Sequence, residues 1–414
     1  MKNSGIEWIG EIPNKWKVER IGTHFSTRNV KVSDSEYPPL SVTKQGILPQ
    51  LDDVAKTKNN DDRRQVKAGD FVINSRSDRK QSCGVSPLDG SVSLINTVLI
   101  HRGNILPCYT KYLLKNYAFA EEFYRWGTGI VADLWSTKWE SMKRIMIPVP
   151  DKGEQQKIAE ILDEKCGKID KLIDNEQKQI EKMKEYKQSV ITSAVTKGLD
   201  KSVPLKDSGI EWIGEIPENW NVFQLKNIST IKTGHTPSTA HIENFNGNVN
   251  WYTPGDFVNE TIENSSRKIS EYALQNEGIT LFPVNTTLLV GIGGTAGKVC
   301  RILVEGYSNQ QITALMANDK VDPVYLFYEL TASMRYLKDN AMYTTLPIIN
   351  NGYLGSLEFV IPNIKTQKEI ADYLDEKCSK IDEVISIKQR KIEKLQEYKK
   401  SLIYEYVTGK KEVV

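Results

Sequence analysis

The stretch "IAEILDEKCGKIDKLIDNEQKQIEKMKEYK" at residues 158–187 returns as "IADYLDEKCSKIDEVISIKQRKIEKLQEYK" at residues 370–399, and no gap is needed to align the two copies. In both copies apolar residues recur at spacings of three, four or seven residues, with Lys and Glu between them. A 3.5-residue period sustained over about five heptads is typical of a coiled-coil seam. The sequence therefore predicts two long helices that pair with each other, through Ile158, Leu162, Ile169, Ile173, Ile180 and Met183 in the first and Ile370, Leu374, Ile381, Ile385, Ile392 and Leu395 in the second.

The ten residues "SGIEWIGEIP" also occur twice, at 4–13 and at 208–217. Each copy is followed by a variable region and then by one of the two helices, which predicts two units in tandem. Because the decapeptide is identical in both units, we expect it to pack Trp8 or Trp212 and the neighbouring isoleucines against a helix end. The two ends of the chain, joined head to tail, would nearly recreate the internal linker, which is typical of a closed ring of two units with a pseudo-two-fold axis.

The variable regions share little sequence, but both combine short apolar runs with segments that favour helices. Short runs such as "DFVINS" and "TTLLVGI" predict strands, whereas "YTKYLLKNYAFAEEFYRW" and "VYLFYELTASMRYLKD" predict helices. We therefore expect a mixed α/β fold. We assign residues 1–149 to a first module, 150–200 to the first long helix, 201–362 to a linker and a second module, and 363–414 to the second long helix and a C-terminal tail.

The composition is that of an ordinary globular protein of 414 residues, 39% hydrophobic and 26% charged. No run of about 18 apolar residues would span a bilayer, and the first residues lack the apolar core of a secretory signal. The five cysteines are odd in number and widely scattered, which predicts reduced thiols in the cytoplasm. The net charge is only +2, but residues 14–150 carry +7 and residues 218–362 carry −4. The first module is therefore better suited to a polyanion than the second.

The sequence contains no constellation typical of catalysis or metal binding. The four histidines have no ligand spacing, and the adenine methyltransferase signature Asn/Asp-Pro-Pro-Tyr/Phe is absent. "GIGGTAGK" at residues 291–298 fails the phosphate-loop pattern G-x-x-x-x-G-K-[ST], because Ile292 stands where Gly is needed and Val299 follows Lys298. A tight structural turn and a DNA-facing loop with Lys298 on a phosphate remain the main interpretations. We expect no catalytic residue, no metal and no cofactor in this chain.

Several short motifs occur in a specific, doubled order. They are "GIEWIGEIP" followed by Trp16 or Trp220, "YPPLSVTKQGILP", "TGHTPS" with "WYTPGDF", "GGTAGKV", and an "IP" that leads into "GEQQKIAEILD" or "TQKEIADYLD". In this order the chain resembles, over essentially its whole length, the specificity subunit of type I restriction-modification enzymes, which serve host defence.

The resemblance implies two α/β target-recognition domains separated by two long antiparallel helices. Each domain would read one half of a bipartite site in double-stranded DNA. The partners would be methyltransferase (modification) subunits, two in number, and restriction/translocase subunits, which would hold S-adenosylmethionine, ATP and Mg²⁺. This chain would itself be a non-catalytic DNA-binding subunit. The first module departs from the pattern because it has no clear "TGxTPS" counterpart.

The candidate DNA-binding residues are polar or basic side chains near predicted turns. Arg76 in "NSRSDRK" suits guanine O6/N7 or a phosphate, although the segment also fits a solvated charge run. Asn350 suits adenine N6/N7, although Asn-Asn-Gly is also an ordinary turn. The full set is Lys44, Gln45, Arg76, Arg79, Lys80 and Lys138 in the first module and Thr236, Ser238, Lys298, Asn350 and Asn351 in the second.

Two other classes of function fit parts of the sequence. A coiled-coil scaffold with protein-binding modules would use the same duplication, and the −4 charge of the second module favours it. An enzyme that binds a nucleotide through the Gly-rich loop is the more distant alternative. Because the frame is kept while the variable region changes, we expect the two modules to read two different things.

Overall fold

The computed structural model describes residues 1–50, 62–129, 135–339, 342–343 and 347–413. The chain forms two compact units: unit 1 comprises residues 1–177 and 389–414, and unit 2 comprises residues 178–388. Each unit contains half of each long helix, whereas the predicted boundaries treat the helices as segments of their own.

Unit 1 is built around an antiparallel main sheet of strand order β10-β9-β12-β4. A second sheet, β11-β8-β5, and the pairs β13-β3, β6-β7 and β1-β2 surround it. The strands are β1 (Lys2–Asn3), β2 (Glu11–Ile12), β3 (Lys17–Arg20), β4 (Phe25–Thr27), β5 (Lys31–Val32), β6 (Leu40–Val42), β7 (Ile47–Pro49), β8 (Arg63–Val66), β9 (Phe71–Asn74), β10 (Cys83–Val85), β11 (Gly90–Ser93), β12 (Asn96–His101) and β13 (Met146–Val149). The helices are α1 (Ile21–His24), α2 (Pro107–Leu113), α3 (Tyr117–Arg125), α4 (Trp139–Met142) and the first half of α5 (Lys152–Lys197), with the second half of α9 (Ile364–Val407).

The predicted helix "YTKYLLKNYAFAEEFYRW" is in fact two helices, α2 and α3. The second begins at Asn116, whose Oδ1 accepts a hydrogen bond from the N–H of Phe119 at 2.9 Å. An Asn at this position satisfies a free N–H of the first turn and stabilises a new helix start.

Unit 2 has a main sheet of order β17-β24-β21-β22-β19, a sheet β20-β18-β23 and the pairs β16-β27, β14-β15 and β25-β26. Its strands are β14 (Leu205–Asp207), β15 (Glu215–Pro217), β16 (Asn221–Gln224), β17 (Ser229–Thr233), β18 (Phe245–Tyr252), β19 (Thr261–Ile262), β20 (Lys268–Ile269), β21 (Thr287–Val290), β22 (Val299–Ile302), β23 (Tyr307–Ser308), β24 (Ile312–Ala317), β25 (Met342–Tyr343), β26 (Pro347–Ile348) and β27 (Glu358–Ile361). Its helices are α6 (Glu271–Asn276), α7 (Pro323–Asp339), α8 (Asn351–Ser356) and the first half of α9 (Ile364–Val407), with the second half of α5.

The main sheets of the two units are alike. The order β17-β24-β21-β22 and its antiparallel pairing repeat those of β4-β12-β9-β10, although the sequences share little. The predicted mixed α/β fold with two long helices is confirmed.

The long helices run antiparallel within unit 1. Lys399 Nζ lies 2.6 Å from Asp170 Oδ1, and Lys391 Nζ lies 2.6 Å from Glu176 Oε1. Residues later in α5 thus contact residues earlier in α9, as expected of antiparallel helices.

Unit 2 contains the same antiparallel arrangement of the remaining helix halves. Lys388 donates to Gln179 Oε1 at 2.5 Å, and Lys187 contacts both carboxylate oxygens of Asp382, at 2.7 and 2.9 Å. In the part of the chain that the structure describes, no helix combines the length and apolarity needed to cross a membrane.

The predicted seam residues lie on the inner faces of α5 and α9. Those nearest the start of each helix, Ile158 and Ile370, belong to the core of an α/β module, whereas Ile169 and Leu395 bring the two helices together in unit 1. The buried members are Ile158, Leu162, Ile169, Ile180, Ile370, Leu374, Ile381 and Ile392, and the half-buried ones are Ile173, Met183, Ile385 and Leu395.

A buried glutamine ties each helix start to its module. In unit 1, Gln155 Oε1 accepts from the N–H of Leu106 at 2.9 Å, and its Nε2 donates to the carbonyls of Asn104 and Pro150 at 3.1 and 2.9 Å.

Unit 2 repeats these three bonds residue for residue. Gln367 accepts from Asp322 N–H at 2.7 Å and donates to the carbonyls of Lys320 and Pro362 at 3.0 and 2.8 Å. The frame is therefore duplicated in its hydrogen bonds as well as in its helices.

The decapeptide packs at a helix end in both units. In unit 1 its isoleucines share a core with the last turns of α9, namely Ile9 and Ile12 with Leu402, Tyr406 and Val407. In unit 2 they share a core with the last turns of α5, namely Ile213 and Ile216 with Ile191, Ala194 and Val195. Trp8 belongs to the first of these cores and Trp212 packs against the second, so the expectation is confirmed. Trp8 also donates through Nε1 to the carbonyl of Met146 in β13.

Candidate nucleic-acid interface

Four segments come together at one edge of the main sheet of unit 2. Because neighbouring strands are antiparallel, β17 and β21 end at the edge where β24 and β22 begin. We call these segments, residues 234–238, 291–298, 309–311 and 349–351, the loop end of unit 2. The loop end contains all five candidates of the second module, Thr236, Ser238, Lys298, Asn350 and Asn351.

The glycine of "TGHTPS" holds the first of these loops against its neighbour. Gly234 N–H donates to the carbonyl of Ile312 at 2.9 Å. A Cβ on Gly234 would lie 2.2 Å from Ser308 Oγ and 2.3 Å from the carbonyl oxygen of Asn309. No larger residue fits, so loop 234–238 lies directly on segment 309–311.

The Gly-rich loop is a turn between two strands. Gly291 N–H donates to the carbonyl of Gln311 at 2.8 Å, and its carbonyl accepts from Ile349 N–H at 2.8 Å. Lys298 is exposed at this edge and is followed by β22, whereas a phosphate-binding loop is followed by a helix whose N-terminus binds the phosphate. This geometry excludes the nucleotide-binding interpretation of the loop.

Two exposed glutamines stand at the centre of the loop end. The hydroxyl of Thr236 is hydrogen-bonded to Gln310 Oε1. Asn309 Nδ2 donates to Gln311 Oε1 at 3.0 Å, and the N–H of Gln311 donates back to Asn309 Oδ1 at 3.2 Å. Sequence reasoning missed these amides because "SNQQI" contains no Gly or Pro, and three adjacent amides before a strand were the only signal.

The two neighbouring asparagines have structural partners. Asn350 Oδ1 accepts from Tyr353 N–H at 2.8 Å and caps α8. Asn351 Nδ2 donates to Thr233 Oγ1 at 2.9 Å, and its Oδ1 accepts from Thr313 Oγ1 at 3.1 Å. The Asn-Asn-Gly segment thus begins a helix and joins it to β17 and β24.

Ser238 anchors its loop through its backbone. Its N–H donates to Glu277 Oε1 at 3.3 Å, and its carbonyl accepts from Asn244 Nδ2 at 3.0 Å. Hydrogen bonding by Asn244 lowers the pKa of Glu277, which keeps this carboxylate charged at neutral pH.

Unit 1 has the same arrangement at the corresponding edge of its sheet. Ser75 N–H donates to the carbonyl of Ile95 at 3.4 Å, and its carbonyl accepts from Thr137 N–H at 2.9 Å. These are the two bonds that Gly291 makes in unit 2. The loop end of unit 1 accordingly consists of residues 28–30, 75–82, 94–95 and 135–138.

Equivalent positions in the two loop ends carry different residues. Arg76 and Ile292 form the same isolated β-bridge in their respective units. Lys138 precedes the first turn of α4 as Asn350 precedes that of α8. Lys138 and Asn350, predicted from unlike sequences, therefore occupy matching places.

The cations of the unit 1 loop end differ in how much they are engaged. Arg76 and Lys138 are exposed, and Arg79 is also exposed, 3.5 Å from Asp78. Lys80 contacts both carboxylate oxygens of Glu121 at 3.0 Å, an exposed pair that contributes at most about 1 kcal/mol. All four cations are therefore accessible to a polyanion.

Two further features of unit 1 concern the predicted DNA-facing loops. Lys44 and Gln45 are exposed at the tip of the β6–β7 hairpin, where Thr43 Oγ1 accepts from Gln45 N–H at 3.1 Å. Residues 28–30 follow β4 in the place of "GHTPS", but Arg28 binds Asp70 at 2.6 and 3.0 Å. The missing "TGxTPS" of the first module is thus replaced by an ion pair.

The titratable groups offer little for catalysis. Within the described ranges, no group of three or more His, Cys, Asp and Glu side chains could hold a metal ion. Burial raises the pKa of the Cys83 and Cys300 thiols to about 12, so neither is a thiolate at neutral pH.

Comparison with known proteins agrees with this arrangement. Residues 217–397 match the family described as the type I restriction modification DNA specificity domain. Over 97% of its length the chain is 24% identical to the putative type I restriction enzyme MjaX specificity subunit of Methanocaldococcus jannaschii, and it covers 95% of that protein. The chain is therefore similar, over nearly its whole length, to a specificity subunit of type I restriction enzymes.

The chain is similar to other relatives over shorter stretches. It is 31% identical to the MjaIX specificity subunit of the same organism over 44% of this chain and 43% of that one. It is 24% identical to the EcoR124I/EcoR124II specificity subunit of Escherichia coli, over 64% of each. A chain of a solved type I R-M system has the same fold, with a TM-score of 0.72 at 14% identity over 96% of this chain and 98% of that one.

Proposed function

We propose that this chain is a specificity subunit that recognises a bipartite site in double-stranded DNA, with each unit reading one half. It directs methyltransferase and restriction/translocase subunits to that site in the cytoplasm and is itself non-catalytic. S-adenosylmethionine, ATP and Mg²⁺ then belong to the partner subunits.

The observation that carries this proposal is the pair of matching loop ends. Both loop ends lie at the same edge of the main sheet and are fixed there by the same backbone hydrogen bonds, which Ser75 makes in unit 1 and Gly291 in unit 2. Their exposed side chains differ, since Arg76 stands where unit 2 has Ile292. A common frame with different side chains is what two readers of different base sequences require.

The charges of the two loop ends support different modes of contact. Unit 1 offers the exposed cations Arg76, Arg79 and Lys138, which suit phosphates and guanine. Unit 2 offers Lys298 and several amides, within a module of net charge −4. We therefore expect the partner subunits to supply most phosphate contacts, so that the isolated chain shows a shallower salt dependence of DNA binding than the whole complex.

A pair of matched variants tests the reading of one half-site by each unit. The full chain is co-expressed with its methyltransferase subunit, and the methylated motif is determined by sequencing the modified genome. We expect Arg76→Ala to relax one half of the motif and to leave the other unchanged. Ile292→Arg, at the equivalent position of unit 2, should change only the other half.

Either of two results would contradict the proposal. A variant that alters both halves would show that the units do not read independently. A wild-type complex that methylates without any sequence preference would favour the protein-binding scaffold instead.

A further inference from the structure

We propose that Gln310 and Gln311 determine the bases read by unit 2, and that Thr236 and Asn309 are positioning residues for their amides. This inference rests on the proposed function and extends it to particular side chains.

The two glutamines occupy the centre of the loop end and remain accessible. Both side chains are exposed, although the backbone of Gln311 is fixed through its carbonyl by Gly291 N–H at 2.8 Å. A Cβ on Gly293 would come within 3.7 Å of Gln311 Nε2, so the Gly-rich loop lies beside this amide without covering it. Gly291, Gly293 and Gly294 have no side chain and therefore leave room for a ligand next to Gln311.

Each amide is held by one neighbour and keeps groups for another partner. The Oε1 atoms of Gln310 and Gln311 are bonded to Thr236 and Asn309 respectively. Their Nε2 groups have no hydrogen-bond partner among the described residues, and each carbonyl oxygen has a second lone pair. Because the amides are already oriented, less conformational entropy is lost when they bind.

The chemistry of an oriented glutamine matches adenine. Nε2 donates to N7 while Oε1 accepts from the N6 amino group, a bidentate pairing that no other base offers in the major groove. Neutral amides discriminate between bases without adding non-specific phosphate binding. They are therefore consistent with a module whose net charge is −4.

Unit 1 carries apolar residues at the corresponding places. Ile95 accepts the bond from Ser75 that Gln311 accepts from Gly291, and Leu94, 39% exposed, precedes it as Gln310 precedes Gln311. Apolar side chains contact the thymine methyl group and form no hydrogen bond with a base edge. The two units should therefore differ in the bases read at this position.

The decisive variant is Gln311→Glu in the full chain, co-expressed with its methyltransferase subunit and read by methylome sequencing. The carboxylate keeps the shape of the side chain and its bond from Asn309, but it removes the donor and suits the N4 amino group of cytosine. We expect the preference for adenine at one position of one half-site to fall about tenfold or more, with cytosine gaining, and the other half-site to stay unchanged. Gln275→Glu, an exposed residue of α6 with the same charge change, is the control and should leave the motif as it is.

The positioning role of Thr236 has its own test. Thr236→Val removes the hydroxyl that holds Gln310 and should relax the base preference at a single position, whereas Thr236→Ser should restore it. A change that is merely structural would lower methylation of all sites together, and serine would not rescue a single position.

The outcomes separate this inference from the proposed function. If Gln311→Glu and Thr236→Val leave the motif unchanged while Ile292→Arg alters its half-site, the glutamines are not the readers and the proposed function stands. If no variant of either loop end changes the motif, the proposed function itself is wrong.

Discussion

The free energy of unfolding of unit 2 should depend on one buried carboxyl group, that of Glu329 in α7. This side chain is fully buried, and its Oε1 accepts a hydrogen bond from Val360 N–H at 2.9 Å. Its Oε2 has no hydrogen-bond partner among the described residues. Burial away from water raises the pKa of Glu329 from 4.5 to about 8, against a smaller opposing contribution from the Val360 N–H.

The sign and size of the effect follow from that shift. Between pH 4.5 and about 8 the folded chain keeps a proton at Glu329 that the unfolded chain has released. Stability is therefore greatest below this window and falls as the pH rises through it, by about 1.4 kcal/mol per pH unit. Over the whole window the loss amounts to at most about 5 kcal/mol.

Glu329→Gln removes this dependence because the amide does not titrate. Near pH 5 the variant should be equal to the wild type or less stable, since its buried NH₂ lacks a partner at a cost of about 1–3 kcal/mol. At pH 8.5 it should be more stable, and the difference should grow steadily between the two pH values. Hydrogen exchange of the α7 amides, corrected for the intrinsic pH dependence of exchange, measures this locally in unit 2.

Unit 1 provides the mirror-image variant. In unit 2, Glu329 lies four residues after Tyr325, whose hydroxyl donates to the carbonyl of Val195. In unit 1, the fully buried Leu113 lies four residues after Tyr109, whose hydroxyl donates to the carbonyl of Val407. Leu113 therefore occupies the position in unit 1 that Glu329 occupies in unit 2. Leu113→Glu should give unit 1 the pH dependence that Glu329→Gln removes from unit 2. A difference between wild type and Glu329→Gln that does not change with pH would refute the reasoning.

Three further predictions concern the frame. Gln155→Ala and Gln367→Ala should each lower the unfolding free energy by about 2–4 kcal/mol, because each leaves buried backbone groups without a hydrogen-bond partner. A loss of less than about 1 kcal/mol in urea titration of either variant would contradict this. Lys187→Met should lower the unfolding free energy by about 1–2 kcal/mol, because the buried ammonium group of Lys187 binds Glu260 and Asp382. Burial disfavours the charged form of Lys187, but the two carboxylates outweigh this effect and raise its pKa. Gly409→Ala should lower the thermal midpoint strongly, because its φ is +70° and a Cβ would lie 2.3 Å from Pro13 Cδ; a shift no larger than that of a solvent-exposed glycine would count against this packing.

Each of these predictions has a matched control in the chain. Gln156→Ala, exposed beside Gln155, should change stability by less than about 0.5 kcal/mol. Lys399→Met removes the counterpart pair with Asp170, in which the lysine is more exposed than Lys187, and should cost less than Lys187→Met; equal losses would show that the deeper burial of Lys187 adds nothing. Gly5→Ala has a similar φ of +72° but no atom within 4 Å of its Cβ, so it isolates the cost of the backbone conformation, about 1–2 kcal/mol.

The long helices were predictable because their signal is local and repeated. A 3.5-residue period over about five heptads fixes both the helix and its inner face, as at Ile158 and Ile370. The split between α2 and α3 was not predicted, because one cap at Asn116 interrupts an otherwise helical pattern. The division of each helix between two units depends on contacts between residues distant in sequence, so the local sequence pattern does not indicate it.

The loop ends were predicted in part. Arg76, Lys138 and Lys298 stood out as cations near turns, but their correspondence between units depends on strand order, which the divergent sequences do not reveal. Gln310 and Gln311 gave no turn signal, since they immediately precede a strand. Sequence reasoning thus found the charged part of the candidate site and missed its neutral centre.

Unit 1 is discontinuous along the chain, and this affects the order in which the protein forms on the ribosome. Unit 2 is a single stretch, residues 178–388, whereas unit 1 needs residues 389–413 to cover a core laid down at the start of translation. The hydrogen bond from Tyr404 to the carbonyl of Ile9 joins residues 395 positions apart. Unit 2 can therefore fold while the apolar residues Ile9, Ile12 and Trp16 are still uncovered, because α9 has not yet been synthesised. Nascent unit 1 should thus be the part of the chain most prone to aggregation and to chaperone binding.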